Sequence, residues 1–235
     1  MSRVYKKGRL VAKDGKCLLP EVSAAKESKL ISMKLEELKE EDLRIQVAGS
    51  GVRAIRAVAN TLITEEEILP VRGKGGEAVS EPDRDLLKMA VIERHHGSGR
   101  KGFGFIRGIG LRRGALASTV AHDSHNLIVV GANDSDMVVA VNALRELGGG
   151  LVVVEGGQIR AQLPLPVAGL VSTASLERVV ELKKEVNQAA LALGATLKQP
   201  FMALSFMALP VIPKLKLTDH GLVDVESFKH VPLFV

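Results

Sequence analysis

The densest run of reactive side chains is Ala121-His122-Asp123-Ser124-His125-Asn126, set just ahead of an apolar run that begins at Leu127. Two imidazoles and a carboxylate can hold a metal ion, or they can orient a polar substrate by hydrogen bonding. The same residue types can equally be structural, with Asp, Ser and Asn satisfying backbone groups in a tight turn and the histidines packed as hydrogen-bonded rings. Arg94-His95-His96 follows a predicted strand at Leu86 to Ile92, which puts it at a strand end, where α/β sites collect, or in a solvated basic corner. Arg94, His95, His122, Asp123, Ser124, His125 and Asn126 are therefore the candidate substrate-binding or interface residues. A metallohydrolase centre made of His95, His122, Asp123 and His125 is an alternative that metal analysis of a His122→Ala variant would test.

Other features carry less chemistry. Gly108, Gly110 and Gly114 are one residue too widely spaced for a dinucleotide fingerprint, and no Lys-Ser or Lys-Thr pair follows as a phosphate loop requires. With Gly102 and Gly104, they read as sites of close backbone approach or bulges. Ser118, Ser124 and Ser172 lie in no Gly-x-Ser-x-Gly elbow, which argues against a serine ester mechanism. Met202 and Met207 are expected to fill core gaps, and Thr218-Asp219-His220-Gly221 reads as a turn.

The elements that must position these residues are visible in outline. Val4-Tyr5, Arg9 to Ala12 and Cys17 to Leu19 predict a short β-meander, with Asp14-Gly15 as a hairpin turn. Three short strands cannot stand alone, so residues 1–25 read as the remnant of a small β-domain. Residues 26–41 read as a charged linker leading into a short helix around Leu35 to Leu38, and residues 42–235 as one α/β domain. In that domain strands are expected at Leu43 to Ala48, Val52 to Ala59 and Leu86 to Ile92, with Arg72 to Asp83 a surface loop.

Leu127-Ile128-Val129-Val130 is a continuous apolar run that must be buried on both faces. A helix capped by Asn133 or Asp134, with Met137, Ala140, Val141 and Leu144 in one stripe, ends at Gly148 before a strand at Leu151 to Val154. This order predicts a right-handed crossover onto a parallel pair. A second helix is expected from Ser175 to Leu193. The fold class is α/β: a mixed β-sheet with helices packed on it, preceded by the meander.

Net charge is +5, but Lys and Arg are interleaved with 27 acidic residues and aromatic residues make up only 3%, so a nucleic-acid partner is not expected. Cys17 is the only cysteine, which excludes an intramolecular disulfide and suits a reducing cytoplasm. Neither the first ten residues nor Phe201 to Ile212 has the length and apolarity of a signal or a membrane span, so no membrane association is expected.

The run Arg113 to Gly131, which contains the His122 to Asn126 segment, closely resembles the C-terminal domain of adenine deaminases of the amidohydrolase superfamily. So do Glu93-Arg94-His95, Leu147 to Val153, Leu163 to Leu170 and Leu217 to Asp224, and the opening strands resemble those that follow the superfamily's barrel. The resemblance implies hydrolysis of adenine to hypoxanthine and ammonia in purine salvage, with water activated by a dinuclear manganese or iron site. The family's metal ligands come from a His-x-His motif and other barrel residues; no His-x-His occurs here, so no metal ligation is carried onto His122 or His125 and no cofactor is expected within this chain. The expected partners are an amidohydrolase barrel domain or subunit, adenine and a further copy of the chain, and the chain alone is expected to be inactive. The competing reading is a non-catalytic α/β module that binds a purine-like ligand or a partner protein.

Overall fold

The computed structural model describes residues 2–20 and 33–235. Strands β1 (Arg3–Lys6), β2 (Arg9–Lys13) and β3 (Lys16–Cys17) form the predicted antiparallel meander. Its turns at Lys7-Gly8 and Asp14-Gly15 have positive φ at both central residues, the geometry whose twist matches a two-residue hairpin. The meander's residues are exposed or half-exposed, Tyr5 to 58%. The expected boundary near residue 25 and the first part of the linker lie outside the described residues.

The main domain continues through β4 (Gly51–Ala57), β5 (Thr64–Pro70), β6 (Gly73–Lys74), β7 (Glu77–Ala78), β8 (Leu87–Ile92), β9 (Lys101–Arg107), β10 (Ala115–Ser118), β11 (Leu127–Gly131), α1 (Asp134–Leu147), β12 (Gly150–Glu155) and β13 (Gln158–Pro164). Helices α2 (Leu176–Ala192) and α3 (Pro200–Met207) follow, then β14 (Leu215–Thr218), β15 (Gly221–Asp224) and β16 (Lys229–His230). One sheet dominates, in the order β13-β12-β10-β11-β8-β9-β4-β5; it is mixed, antiparallel throughout except for the parallel pair β4 and β9.

Both faces of this sheet are covered, which is why β11 is apolar at successive positions. Val129 packs with Met137, Ala140, Val141 and Leu144 of α1. Ile128 and Val130 join Val186, Ala190, Phe201 and Leu204 of α2 and α3 on the other face. Helix α1 starts and stops where its sequence says: Asn133 Oδ1 accepts the Asp136 N–H, and Gly148 takes the left-handed conformation that ends the helix.

Several local expectations are corrected. The β11-α1-β12 unit does not make an adjacent parallel pair, because β10 lies between its two strands and is antiparallel to both. Small Ala115 and Ala117 let β10 fit under α1. Leu35 to Leu38 is not helical: the Asn142 side chain on α1 donates to the Leu38 carbonyl and accepts the Leu38 N–H, both at 2.9 Å, so the Leu38 backbone groups are satisfied from outside the segment.

Leu43 to Ala48 is not a strand. Glu40–Leu43 is a 3-10 turn, tied down by fully buried Lys88, whose Nζ donates to the Leu43 carbonyl and to Asp134. The Arg72 to Asp83 loop contains the small hairpin β6-β7. Met207 is in the core, but Met202 is half exposed because it sits on the outer side of α3.

Candidate functional site

Strand register builds the site. Leu127 of β11 pairs with Ile92 of β8 in an antiparallel ladder. Continuing that register beyond the strand ends sets Arg94 opposite His125 and His95 opposite Ser124. Hydrogen bonds follow suit: Arg94 Nε donates to the His125 carbonyl at 2.6 Å, and His95 Nε2 lies 2.8 Å from the Ser124 carbonyl. Arg94, His95 and the His122 to Asn126 segment therefore converge, whereas His96 points away with its side chain 81% exposed.

Arg94 is fully buried. Its guanidinium also donates to the Ala168 carbonyl at 3.0 Å and touches Met33 Sδ at 3.7 Å. Gly169 lies flat against it; a Cβ there would stand 2.8 Å from Nη1, so only glycine leaves room. The Gly169 carbonyl accepts from Thr119 Oγ1, which in turn accepts the Gly150 N–H, locking this loop to the start of β12. Burial pushes the Arg94 pKa down to about 10, with the Glu93 carboxylate opposing, and the side chain stays cationic at neutral pH.

The segment held by Arg94 presents its side chains unequally. His125 is in the left-handed conformation, φ 51°, and its N–H donates to the Ala121 carbonyl. Burial, and then the charges of His122 and Arg94, hold the His125 pKa below the ordinary histidine value, so its imidazole is neutral at neutral pH. His122 is fixed by its N–H to the Ser205 carbonyl and packs 4.6 Å from the Phe206 ring and 5.8 Å from that of His125. Asp123 and Ser124 face solvent, while Asn126 is buried. Among the described residues, His125 Nδ1 and Asn126 Oδ1 are buried with no hydrogen-bond partner.

Glu93 shapes the approach to Arg94. Its buried carboxylate accepts the N–H groups of His95, His96 and Ser98 and the Ser98 hydroxyl. Burial alone would raise its pKa, but those donors outweigh it and hold the carboxyl well below the usual range. A depressed folded-state pKa stabilises the fold above the unfolded value of about 4.3, and that stability is lost as pH falls below it. Urea midpoints measured from pH 6 to pH 3 should therefore fall more steeply for the native chain than for Glu93→Gln; parallel curves would contradict this role.

Asp123 and Ser124 also form one wall of an open cleft of 510 Å³ that sequence reasoning did not find. Its other walls come from residues 208–211 after α3, from the β14-β15 turn at Thr218, Asp219 and His220, and from Val223, Phe228 and His230. The turn was legible, but its neighbours were not: the cleft joins residues about a hundred positions apart. Arg100 fixes it by donating to Asp219 at 2.9 Å.

Among the described residues, no group of three or more His, Cys, Asp or Glu side chains is placed to hold a metal ion. The Arg94-held turn has the Asp123 carboxylate, the Ser124 hydroxyl and the His125 imidazole as its hydrogen-bonding side chains. Residues 61–229 match the family model described as the adenine deaminase C-terminal domain. The chain belongs to that family.

Relatives of this adenine deaminase C-terminal domain agree. It is 46% identical over 229 residues to an adenine deaminase of Dehalococcoides mccartyi, covering 97% of this chain and 40% of that protein. It is 45% identical over 238 residues to one of Methanothrix thermoacetophila, covering 99% and 41%. It is 46% identical over 199 residues to adenine deaminase 1 of Rhizobium meliloti, covering 85% and 35%. The chain thus spans about two fifths of the length of the curated relatives it matches. No helix among the described residues is long and apolar enough to cross a membrane.

Proposed function

We propose that this chain serves as the C-terminal part of an adenine deaminase, acting in the cytoplasm in purine salvage, where adenine and water give hypoxanthine and ammonia. A dinuclear manganese or iron centre, in a barrel contributed by the part of the deaminase outside this chain, would supply the activated water. The role of this domain is to close and orient. Its His122 to Asn126 segment supports the adenine pocket or the boundary between pocket and barrel.

The observation that carries this reading is the Arg94-held turn. A fully buried cation fixes the backbone of one exposed polar segment, at sheet-strand ends where α/β ligands bind. The relatives' shared name, adenine deaminase, identifies the chemistry to test. His95, anchored on the Ser124 carbonyl, is assigned the same supporting role. Asp123 and Ser124 are the groups free to meet a substrate or a facing surface.

The test is ammonia release from adenine. A hybrid in which this chain replaces the matched part of the Dehalococcoides mccartyi relative should deaminate adenine, and the isolated chain supplied with manganese or iron should not. A folded, metal-loaded hybrid with no activity would overturn the proposal.

A further inference from the structure

We propose that the face built from Phe228, Val211, Pro210 and the adjoining Asp123-Ser124 turn is the surface on which the remaining part of the deaminase chain sits, with Phe228 as its anchor. This rests on the reading above, and it adds which face of the domain that part covers.

Phe228 is held against ordinary preference in two respects. The residue is 77% exposed, and its backbone is left-handed, φ 51°, a conformation that bulky side chains rarely adopt. The turn that imposes this is firmly built. Asp224 accepts the N–H groups of Glu226 and Ser227, and buried Val225 donates its N–H to the Lys214 carbonyl. Val211, 62% exposed, lines the same cleft, over a floor that includes buried Leu209. An exposed aromatic side chain on a rigid turn, beside an apolar hollow with a polar rim, has the make-up of a protein-interface anchor.

Three further points select the occupant. The cleft shares its Asp123 and Ser124 wall with the candidate site, so whatever completes that site crosses this face. The matched stretch is 40% of the Dehalococcoides mccartyi protein, which leaves the larger part of that chain to cover it. The exposed Asp123 carboxylate, which forms no ion pair with any Lys, Arg or His among the described residues, suits a Lys or Arg on the facing surface. Other exposed apolar residues, Leu176 and Val180 on α2 and Ile159 on β13, lie on elements that do not line the cleft.

Hydrogen–deuterium exchange on the hybrid, compared with the isolated chain, tests this. Amides of residues 209–211, 226–230 and 123–124 should exchange at least tenfold more slowly in the hybrid, and Phe228→Asp should abolish that protection while leaving the isolated chain's thermal midpoint unchanged. Protection on α2 and β13 instead, in a hybrid that still deaminates adenine, would overturn the assigned face and leave the functional reading standing. Protection that appears in the isolated chain as its concentration rises would assign the face to a second copy and also overturn the proposal. A folded hybrid with neither protection nor activity would overturn both.

Discussion

Replacing Arg94 by Ala is expected to lower the free energy of unfolding by about 3 to 5 kcal/mol, the range for removing several charge-assisted hydrogen bonds from a buried site. The side chain is fully buried, and its loss strands the His125 and Ala168 carbonyls without their donor. It also empties the space against Gly169, which the loop cannot refill without moving Thr119 and β12. Arg94→Lys should recover little of this, since a single ammonium on a flexible stem cannot reproduce a planar fork that donates in two directions. Urea unfolding of the three proteins is the check. A loss under about 1 kcal/mol for Arg94→Ala would mean that the turn is held by other contacts.

The second large effect is expected at Gly102, inside β9. A Cβ there would stand 1.9 Å from the Thr218 carbonyl oxygen and 2.9 Å from the Gly221 nitrogen. Both are backbone atoms of the β14-β15 hairpin, so no side chain can swing aside and the hairpin must lift off the sheet. Gly102→Ala should cost about 3 kcal/mol, near the upper end for overpacking, and lower the thermal midpoint by roughly 6 to 12 °C for a chain of this size. Gly104→Ala is the internal comparison. Its Cβ would meet only the methyl ends of Leu222 and Leu217, at 3.3 and 3.5 Å, and should cost no more than about 1 kcal/mol. Equal midpoints for the two variants would refute the backbone-contact explanation. Because this hairpin carries Asp219 and His220, Gly102→Ala should also loosen the cleft beside Asp123.

What could be read from the residues alone follows from how local each signal is. The Asp14-Gly15 turn, the Asn133 cap and the Gly148 stop are contained within a few residues, and each formed as its chemistry requires. The apolar run at Leu127 announced a strand covered on both sides, and α1 on one face with α2 and α3 on the other supply that cover. Tertiary partners decided the rest. Nothing in Ala115 to Ser118 says that it inserts between β11 and β12, and nothing in Leu35 to Leu38 says that Asn142, about a hundred positions on, takes the Leu38 N–H and carbonyl.

The candidate site was half visible for the same reason. The residue types at His122 to Asn126 stood out, but their link to Arg94 depends on β8 and β11 being neighbours in a particular register. Gly169 and Thr119 carry no chemical signature of their own; their part in holding Arg94 is purely geometric. His220, Phe228 and His230 reach the cleft through the β14-β15-β16 sheet, which lies far along the chain from Asp123.

The central claim is that a turn held by Arg94 works at the pocket of an adenine deaminase whose metal centre is supplied elsewhere. Ammonia release from adenine by the hybrid and by its His125→Ala variant, each at equal metal content and with an unchanged thermal midpoint, tests it most directly. The predicted result is a drop of at least tenfold in kcat/KM when the turn loses this imidazole. A variant as active as the parent hybrid, or an isolated chain that deaminates adenine by itself, would contradict it.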